Sequence, residues 1–201
     1  MSSEVDSLDI NTLGAYLAKH IEGFGVLQSA EKFSGGQSNP TFKLTTNSGQ
    51  FVLRRQPPGK LLKSAHAVDR EYRVYKALEN TDVPTPKVYH LCEDRDVIGS
   101  MFYVMEFCAG RIFWDAALPE LASNEERTQA YVEMGKVLAA IHSVDVEVVG
   151  LADYGKPGNY FERQVTRWSG QYRDAETDKL ADADWVMDWL SANMVADDGA
   201  S

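Results

Sequence analysis

Thr41-Phe42-Lys43-Leu44-Thr45-Thr46-Asn47-Ser48-Gly49-Gln50-Phe51-Val52-Leu53-Arg54-Arg55 decides the architecture. Thr41 to Thr46 and Phe51 to Arg54 are short runs of β-branched, aromatic and aliphatic residues, and Asn47-Ser48-Gly49 between them has the composition of a tight turn. The stretch predicts two antiparallel strands. Upstream, a run from Gln28 to Phe33 and a Gly-rich turn at Ser34 to Pro40 add a third. Further back, Leu8, Leu13, Leu17 and Ile21 fall on helical spacing before Gly23 and Gly25 break the pattern, so residues 1–27 read as a helical packing arm. Downstream, Val68, Tyr72, Tyr75 and Leu78 form one apolar stripe on a helix expected from about Ala65 to Glu79, stopped by Pro84 and Pro86. Lys87 to Cys92 and Ser100 to Phe107 read as two more strands.

Beyond Gly110 the pattern becomes helical. Tyr131, Met134, Leu138 and Ile141 form one stripe, Phe161, Val165, Trp168 and Tyr172 a second, and Trp185, Val186, Trp189 and Leu190 a third. The expected organisation is an arm (1–27), a β-rich lobe (28–107), a step at Cys108 to Arg111 and a helical lobe (112–201). The helical spacing of Trp168, Tyr172, Trp185 and Trp189 favours core packing over a binding platform.

The chain has 201 residues, 44% hydrophobic and 25% charged, the usage of an ordinary folded protein and not of a disordered or fibrous one. No stretch has the apolar length of a bilayer span, and the start of the chain is acidic where a signal peptide is basic, so a cytoplasmic protein without membrane contact is expected. Cys92 and Cys108 sit in apolar runs and read as buried thiols. With 30 acidic and 20 basic residues the net charge is −10, which disfavours nucleic acid as a partner. Yet Lys43 to Lys76 carries eight cations against Asp69 and Glu71, a local patch suited to a small anion; the plain alternative is a solvated surface.

Three features of the β lobe carry chemistry. The turn Phe33-Ser34-Gly35-Gly36-Gln37-Ser38-Asn39-Pro40 offers close backbone approach and side-chain hydrogen bonds to a phosphate, although its composition also suits a plain hairpin and fits neither the Walker nor the Rossmann pattern. Arg54 on a strand is followed seventeen residues later by Glu71 on the helix. That is either a phosphate-holding cation with its orienting carboxylate or an ordinary salt bridge. Phe102-Tyr103-Val104-Met105-Glu106-Phe107-Cys108-Ala109-Gly110 is an apolar strand running into small residues, where kinases bind adenine.

In this order and context, the turn, Val52-Leu53-Arg54-Arg55-Gln56-Pro57-Pro58-Gly59-Lys60, Ala65-His66-Ala67-Val68-Asp69-Arg70-Glu71-Tyr72 and Phe102-Tyr103-Val104-Met105-Glu106-Phe107 resemble the aminoglycoside phosphotransferase-like family, most closely kinase-like domains related to those fused to some acyl-CoA dehydrogenases. The likeness covers about residues 28–195. It implies an α+β, protein-kinase-like fold: a five-stranded antiparallel lobe with one helix, then a partial helical lobe. It further implies an ATP-dependent phosphotransferase acting on a hydroxyl of a small molecule. Carried over by position, Arg54 and Glu71 are the catalytic clamp, Gly35, Gly36, Ser38 and Asn39 the nucleotide loop, and Met105, Glu106 and Phe107 the adenine-contacting hinge. An antibiotic, a sugar, choline or a hydroxyacyl-CoA all fit as acceptor.

The family's His-Gly-Asp-x-x-x-x-Asn loop and later acidic motif have no counterpart in the 201 residues. ATP is therefore the expected cofactor, Mg2+ is expected of the full-length family with its ligands absent here, and the chain alone is expected to be inactive. The alternative is a non-catalytic, kinase-derived module that binds nucleotide or a protein; self-association through the helical lobe is a further candidate. His142-Ser143-Val144-Asp145 followed by Asp153 imitates a catalytic loop, but Gly150 stands where a metal-binding Asn is needed, so His142 reads as a helix-terminal residue. The dispersed carboxylates from Asp174 to Asp198 read as solvation and not as a metal site.

Overall fold

The computed structural model describes residues 8–34, 39–57, 66–155 and 158–196. Its elements run α1 (Ile10–His20), β1 (Leu27–Lys32), β2 (Thr41–Thr46), β3 (Gln50–Arg55), α2 (Val68–Leu78), β4 (Val88–Cys92), β5 (Phe102–Glu106), α3 (Asn124–His142), α4 (Tyr160–Ala175) and α5 (Ala181–Ala192). The expected start of the second helix at Ala65 lies outside the described residues. The five strands form one antiparallel sheet in the order β1-β2-β3-β5-β4. The fold is α+β and kinase-like, as the sequence leads one to expect.

Register follows from the β2–β3 turn. Thr46 N–H donates to Gly49 O at 2.9 Å, and the Thr46 hydroxyl oxygen accepts from the N–H groups of Ser48 (3.2 Å) and Gly49 (3.0 Å). The turn is also tied to the chain between α1 and β1. Ser48 Oγ donates to the carbonyls of Gly23 (2.9 Å) and Phe24 (2.7 Å), and Val26 N–H donates to Asn47 Oδ1 at 2.8 Å. Gly25, at φ +75, must be glycine here, because a Cβ would come within 2.2 Å of Asn47 Oδ1 and 2.3 Å of Ser48 Oγ. Counting back from this turn pairs Thr45 with Gln50, Lys43 with Val52 and Thr41 with Arg54.

Side chains alternate across the sheet, so β3 sends Leu53 and Arg55 to one face and Val52 and Arg54 to the other. On the first face, α1 lays fully buried Leu13 and Leu17 over Phe42, Leu44, Leu53, Phe102 and Val104. Each such leucine contributes about 1.5–3 kcal/mol by leaving water. Asp9 caps α1, its Oδ1 accepting from Asn11 N–H (3.0 Å) and Thr12 N–H (3.2 Å) and its Oδ2 from the Thr12 hydroxyl (2.6 Å); the Thr12 hydroxyl first, then the two backbone donors, hold its carboxyl below the ordinary range. The opposite face holds a smaller core of Val68, Val88 and Tyr103, with Tyr72, Tyr75 and Met105 packed against it. There α2 lies against β4 and β5.

Where α1 crosses β4, Tyr16 Oη and His90 Nε2 are 3.0 Å apart and the rings of His20 and His90 4.7 Å apart. Burial, then the neighbouring His20, lower the His90 pKa, so the folded state favours the neutral ring. The associated stability is complete above the ordinary histidine value of about 6.5 and is lost as pH falls through the depressed folded value. Melting temperature is expected to decline on acidification from about pH 6.5, and His90→Gln, which keeps a polar end for Tyr16, to flatten that decline. Identical pH profiles for both proteins would show that His90 does not report on this seam.

The chain forms two compact units, Met1–Val149 and Gly150–Ser201, and Gly150 at φ +74 stands at the boundary. In the first, α3 is capped by Ser123 Oγ, which accepts from Glu126 N–H at 3.2 Å, and ends on His142. In the second, α4 and α5 pack together and Arg173 pairs with Asp184. None of α3, α4 and α5 buries a residue completely among those described. Trp168, Trp185 and Trp189 are 62%, 64% and 49% exposed, which corrects the expectation of core packing. Their spacing specifies a helix with an apolar stripe, but a two-helix layer buries only the seam between its members. Cys92 is buried as expected, whereas Cys108 is exposed, because it follows the last paired residue of β5 and has left the sheet.

Candidate functional site

Arg54 and Glu71 meet. Arg54 Nε donates to Glu71 Oε2 at 2.6 Å and Nη2 donates to Oε1 at 3.3 Å, a two-pronged contact between β3 and the first turn of α2. Nη1 donates to Thr41 Oγ1 at 3.0 Å, and the Thr41 hydroxyl donates to Asn39 O at 3.1 Å. Two further donors complete Glu71: Asn39 Nδ2 reaches Oε1 at 2.9 Å, and Tyr103 Oη reaches Oε2 at 3.1 Å. Both carboxylate oxygens are thus held by two donors each. A carboxylate in the first turn also complements the helix dipole.

The protonation states agree with this wiring. Partial burial opposes the Arg54 charge, but the hydrogen bond and charge of Glu71 outweigh it and the Arg54 pKa stands above its ordinary value. Burial, and then the Glu71 charge, push the Tyr103 hydroxyl up, so it remains a donor. The Arg54 side chain is 30% exposed. A guanidinium has five N–H groups, and the three bonds above leave one on each Nη for an incoming oxygen. This fork fits the chemistry of a nucleotide phosphate.

Of the expected nucleotide loop, Asn39 is 4% exposed and belongs to the clamp, while Gly35, Gly36 and Ser38 lie outside the described residues. Met105 is inside the ladder, paired with Val52 and Val88. Glu106 N–H donates to Lys87 O at 2.8 Å and Glu106 Oε2 accepts from Lys87 N–H at 3.2 Å. Phe107 is the first residue past the β5 ladder, and Lys43 Nζ sits 5.0 Å above its ring. Alternation puts Lys43, Val52, Arg54 and Met105 on the same face as α2.

Sequence reasoning missed Thr41, Tyr103 and His66, and noticed Lys43 only as one cation of a patch. Counting the hairpin register from Asn47-Ser48-Gly49 was signal enough for Thr41 and Lys43. Tyr103 and His66 carried no such signal, since their partners are set by the docking of α2.

The imitation of a catalytic loop serves the local backbone: Asp145 Oδ1 accepts from the N–H groups of Glu147 (2.9 Å) and Val148 (3.2 Å). Among the described residues no three His, Cys, Asp or Glu side chains are grouped so as to hold a metal ion. No helix among them is long and apolar enough to cross a membrane. A groove of about 780 Å³ lies along α4 and α5, lined by Val165, Trp168, Tyr172, Val186 and Leu190 among others. It is apolar and lacks converging charges.

The comparisons with known proteins agree with this fold. Over 96% of its length the chain superposes, with a TM-score of 0.77 and 49% identity, on 56% of a Ralstonia eutropha protein assigned as an aminoglycoside phosphotransferase. It is 46% identical over 94% of its length to a protein of Arabidopsis thaliana named as an acyl-CoA dehydrogenase, IBR3, and 40% identical over 94% to human acyl-CoA dehydrogenase family member 11. The chain spans 24% and 25% of those two relatives. The profile of the phosphotransferase enzyme family matches residues 29–201. With the clamp in place and that match covering most of its length, the chain belongs to the phosphotransferase enzyme family.

Proposed function

We propose that this chain provides the nucleotide-phosphate clamp of an ATP-dependent phosphotransferase whose acceptor is the hydroxyl of a small molecule. The observation that carries the reading is the partly exposed Arg54 fork, held by Glu71 with two N–H groups left over. Bound ATP would supply the transferable phosphoryl group. Arg54 would engage its α- and β-phosphate oxygens, and Glu71 would keep the long Arg54 side chain in one rotamer so that little ordering entropy remains to be lost on binding. Lys43 adds a second cation on the same face. Met105, Glu106 and the backbone past Phe107 would frame the adenine, and Gly35, Gly36 and Ser38 would cover the phosphates from 28–107, the nucleotide lobe, ahead of the step at 108–111. No step is derived through a metal.

Arg54→Ala is expected to weaken Mg-ATP binding about ten- to a hundredfold, the usual loss for a charge-assisted contact, while lowering the melting temperature only slightly. Calorimetric titration of parent and variant checks it. Equal affinities in two folded proteins would remove Arg54 from the site and leave only a salt bridge.

A second reading, a non-catalytic nucleotide- or protein-binding module, is favoured by the local backbone role of Asp145 and by the apolar α4–α5 groove. Tight nucleotide binding without acceptor-dependent ADP release would select it.

A further inference from the structure

The clamp extends one residue further than a cation and its carboxylate. Glu71 only accepts hydrogen bonds, so the Asn39 atom 2.9 Å from Oε1 is the amide nitrogen, and Asn39 Oδ1 points the other way. There it lies 2.9 Å from His66 Nδ1. An amide oxygen also only accepts, so Nδ1 carries the proton and, in the neutral ring, Nε2 is bare. The tautomer of His66 is thereby dictated from Glu71, through an asparagine that is 4% exposed.

His66 is held for this purpose from its backbone. Its φ of +59° is left-handed, a conformation that non-glycine residues adopt at a cost. Its carbonyl accepts from Gln56 Nε2 at 3.0 Å and from Val68 N–H at 2.9 Å. His66, two residues ahead of α2, therefore turns its ring onto Asn39. Without the Nδ1 proton, nothing beyond Glu71 distinguishes the two ends of the Asn39 amide. A flipped amide would set oxygen against Glu71 Oε1, whose remaining donor, Arg54 Nη2, stands at 3.3 Å. Oε1 would then face an acceptor, the carboxylate would be held chiefly through Oε2 by Arg54 Nε and Tyr103 Oη, and the Arg54 fork would loosen at its Nη2 arm.

We infer that His66 is a positioning residue for the Arg54 cation, acting through Asn39 and Glu71 with its Nδ1 nitrogen protonated. The inference rests on the proposed phosphate role of Arg54 for its functional meaning, and on the hydrogen-bond polarity alone for its geometry. Two substitutions separate backbone from ring. His66→Gly keeps the left-handed conformation and deletes the donor; His66→Asn tolerates that conformation and returns an amide donor near the place of Nδ1.

The experiment is NMR on the full chain, with calorimetry in parallel. Long-range proton–nitrogen correlation of the His66 ring in alkaline buffer is expected to show the Nδ1–H tautomer. Hydrogen exchange at Arg54 Nε is expected to speed up about tenfold in His66→Gly and to return most of the way in His66→Asn. Mg-ATP affinity should fall by about the same factor in the glycine variant and recover with asparagine. An Nε2–H tautomer, or Arg54 exchange that is unchanged in folded His66→Gly, overturns the inference whether or not nucleotide binds. If exchange at Arg54 responds as expected but the parent chain does not bind Mg-ATP, the positioning role stands and the phosphate reading of the site fails.

Discussion

Glu71→Ala will cost the first unit about 3 kcal/mol. The substitution leaves Tyr103 Oη and Asn39 Nδ2, on residues 1% and 4% exposed, without their acceptor. A buried donor stripped of its partner costs about 1–3 kcal/mol. Arg54 contributes less because, at 30% exposure, it can recover water. Tyr103→Phe, which removes one bond and its donor together, should cost only about 1 kcal/mol. Combined with Arg54→Ala, Glu71→Ala should lose less than the sum of the separate losses, since both delete one interaction. Urea unfolding of the parent and the four variants tests this. A Glu71→Ala loss below about 0.5 kcal/mol would make the pair an ordinary solvated salt bridge and deprive Arg54 of its held geometry.

Phe102→Ala should have the largest effect on stability, about 4 kcal/mol, within the usual range for emptying a phenylalanine site in a core. Phe102 is completely buried, pairs across β5 with Arg55 of β3 and Cys92 of β4, and meets the ring of Tyr16 on α1 at 6.1 Å. Its removal opens a cavity where the sheet and α1 join. A fall in melting temperature of about 10 °C follows from the usual scaling for a chain of this size. The check is calorimetry at one protein concentration. A change under about 1 kcal/mol would mean that α1 closes down onto the sheet and fills the space.

The β lobe was legible because its signals are local. Asn47-Ser48-Gly49 fixes a hairpin and the hairpin fixes a register, while Val68, Tyr72, Tyr75 and Leu78 specify which side of α2 is apolar. Together these bring Arg54 and Glu71 within reach, although not to the 2.6 Å contact that results. Asn39 was identified as part of a loop and not as a partner of Glu71, because its bond joins residues 32 apart in sequence. His66 drew no notice for the same reason. The tryptophans of α4 and α5 mark the opposite limit. Amphipathic spacing declares that a stripe should be covered, but contains nothing about which surface covers it, and in this chain Trp168 remains 62% exposed. Cys108 was misjudged by extending an apolar run two residues past the point where β5 stops pairing.

Val52-Leu53 and Arg54-Arg55 are two pairs of near-identical chemistry, so hydropathy does not distinguish β3 from the same strand slid by a single position. Among these four residues such a slip would carry Arg55 to the face of Glu71 and Arg54 to the face of α1, leaving one apolar and one basic residue on each. What forbids it is the hydroxyl of Ser48 hooked on Gly23 and Phe24, with Thr46 closing the turn behind it. Which of two adjacent arginines meets Glu71 is therefore encoded in a small uncharged turn at the far end of the strand. The length of that turn is as much a determinant of the site as the guanidinium itself.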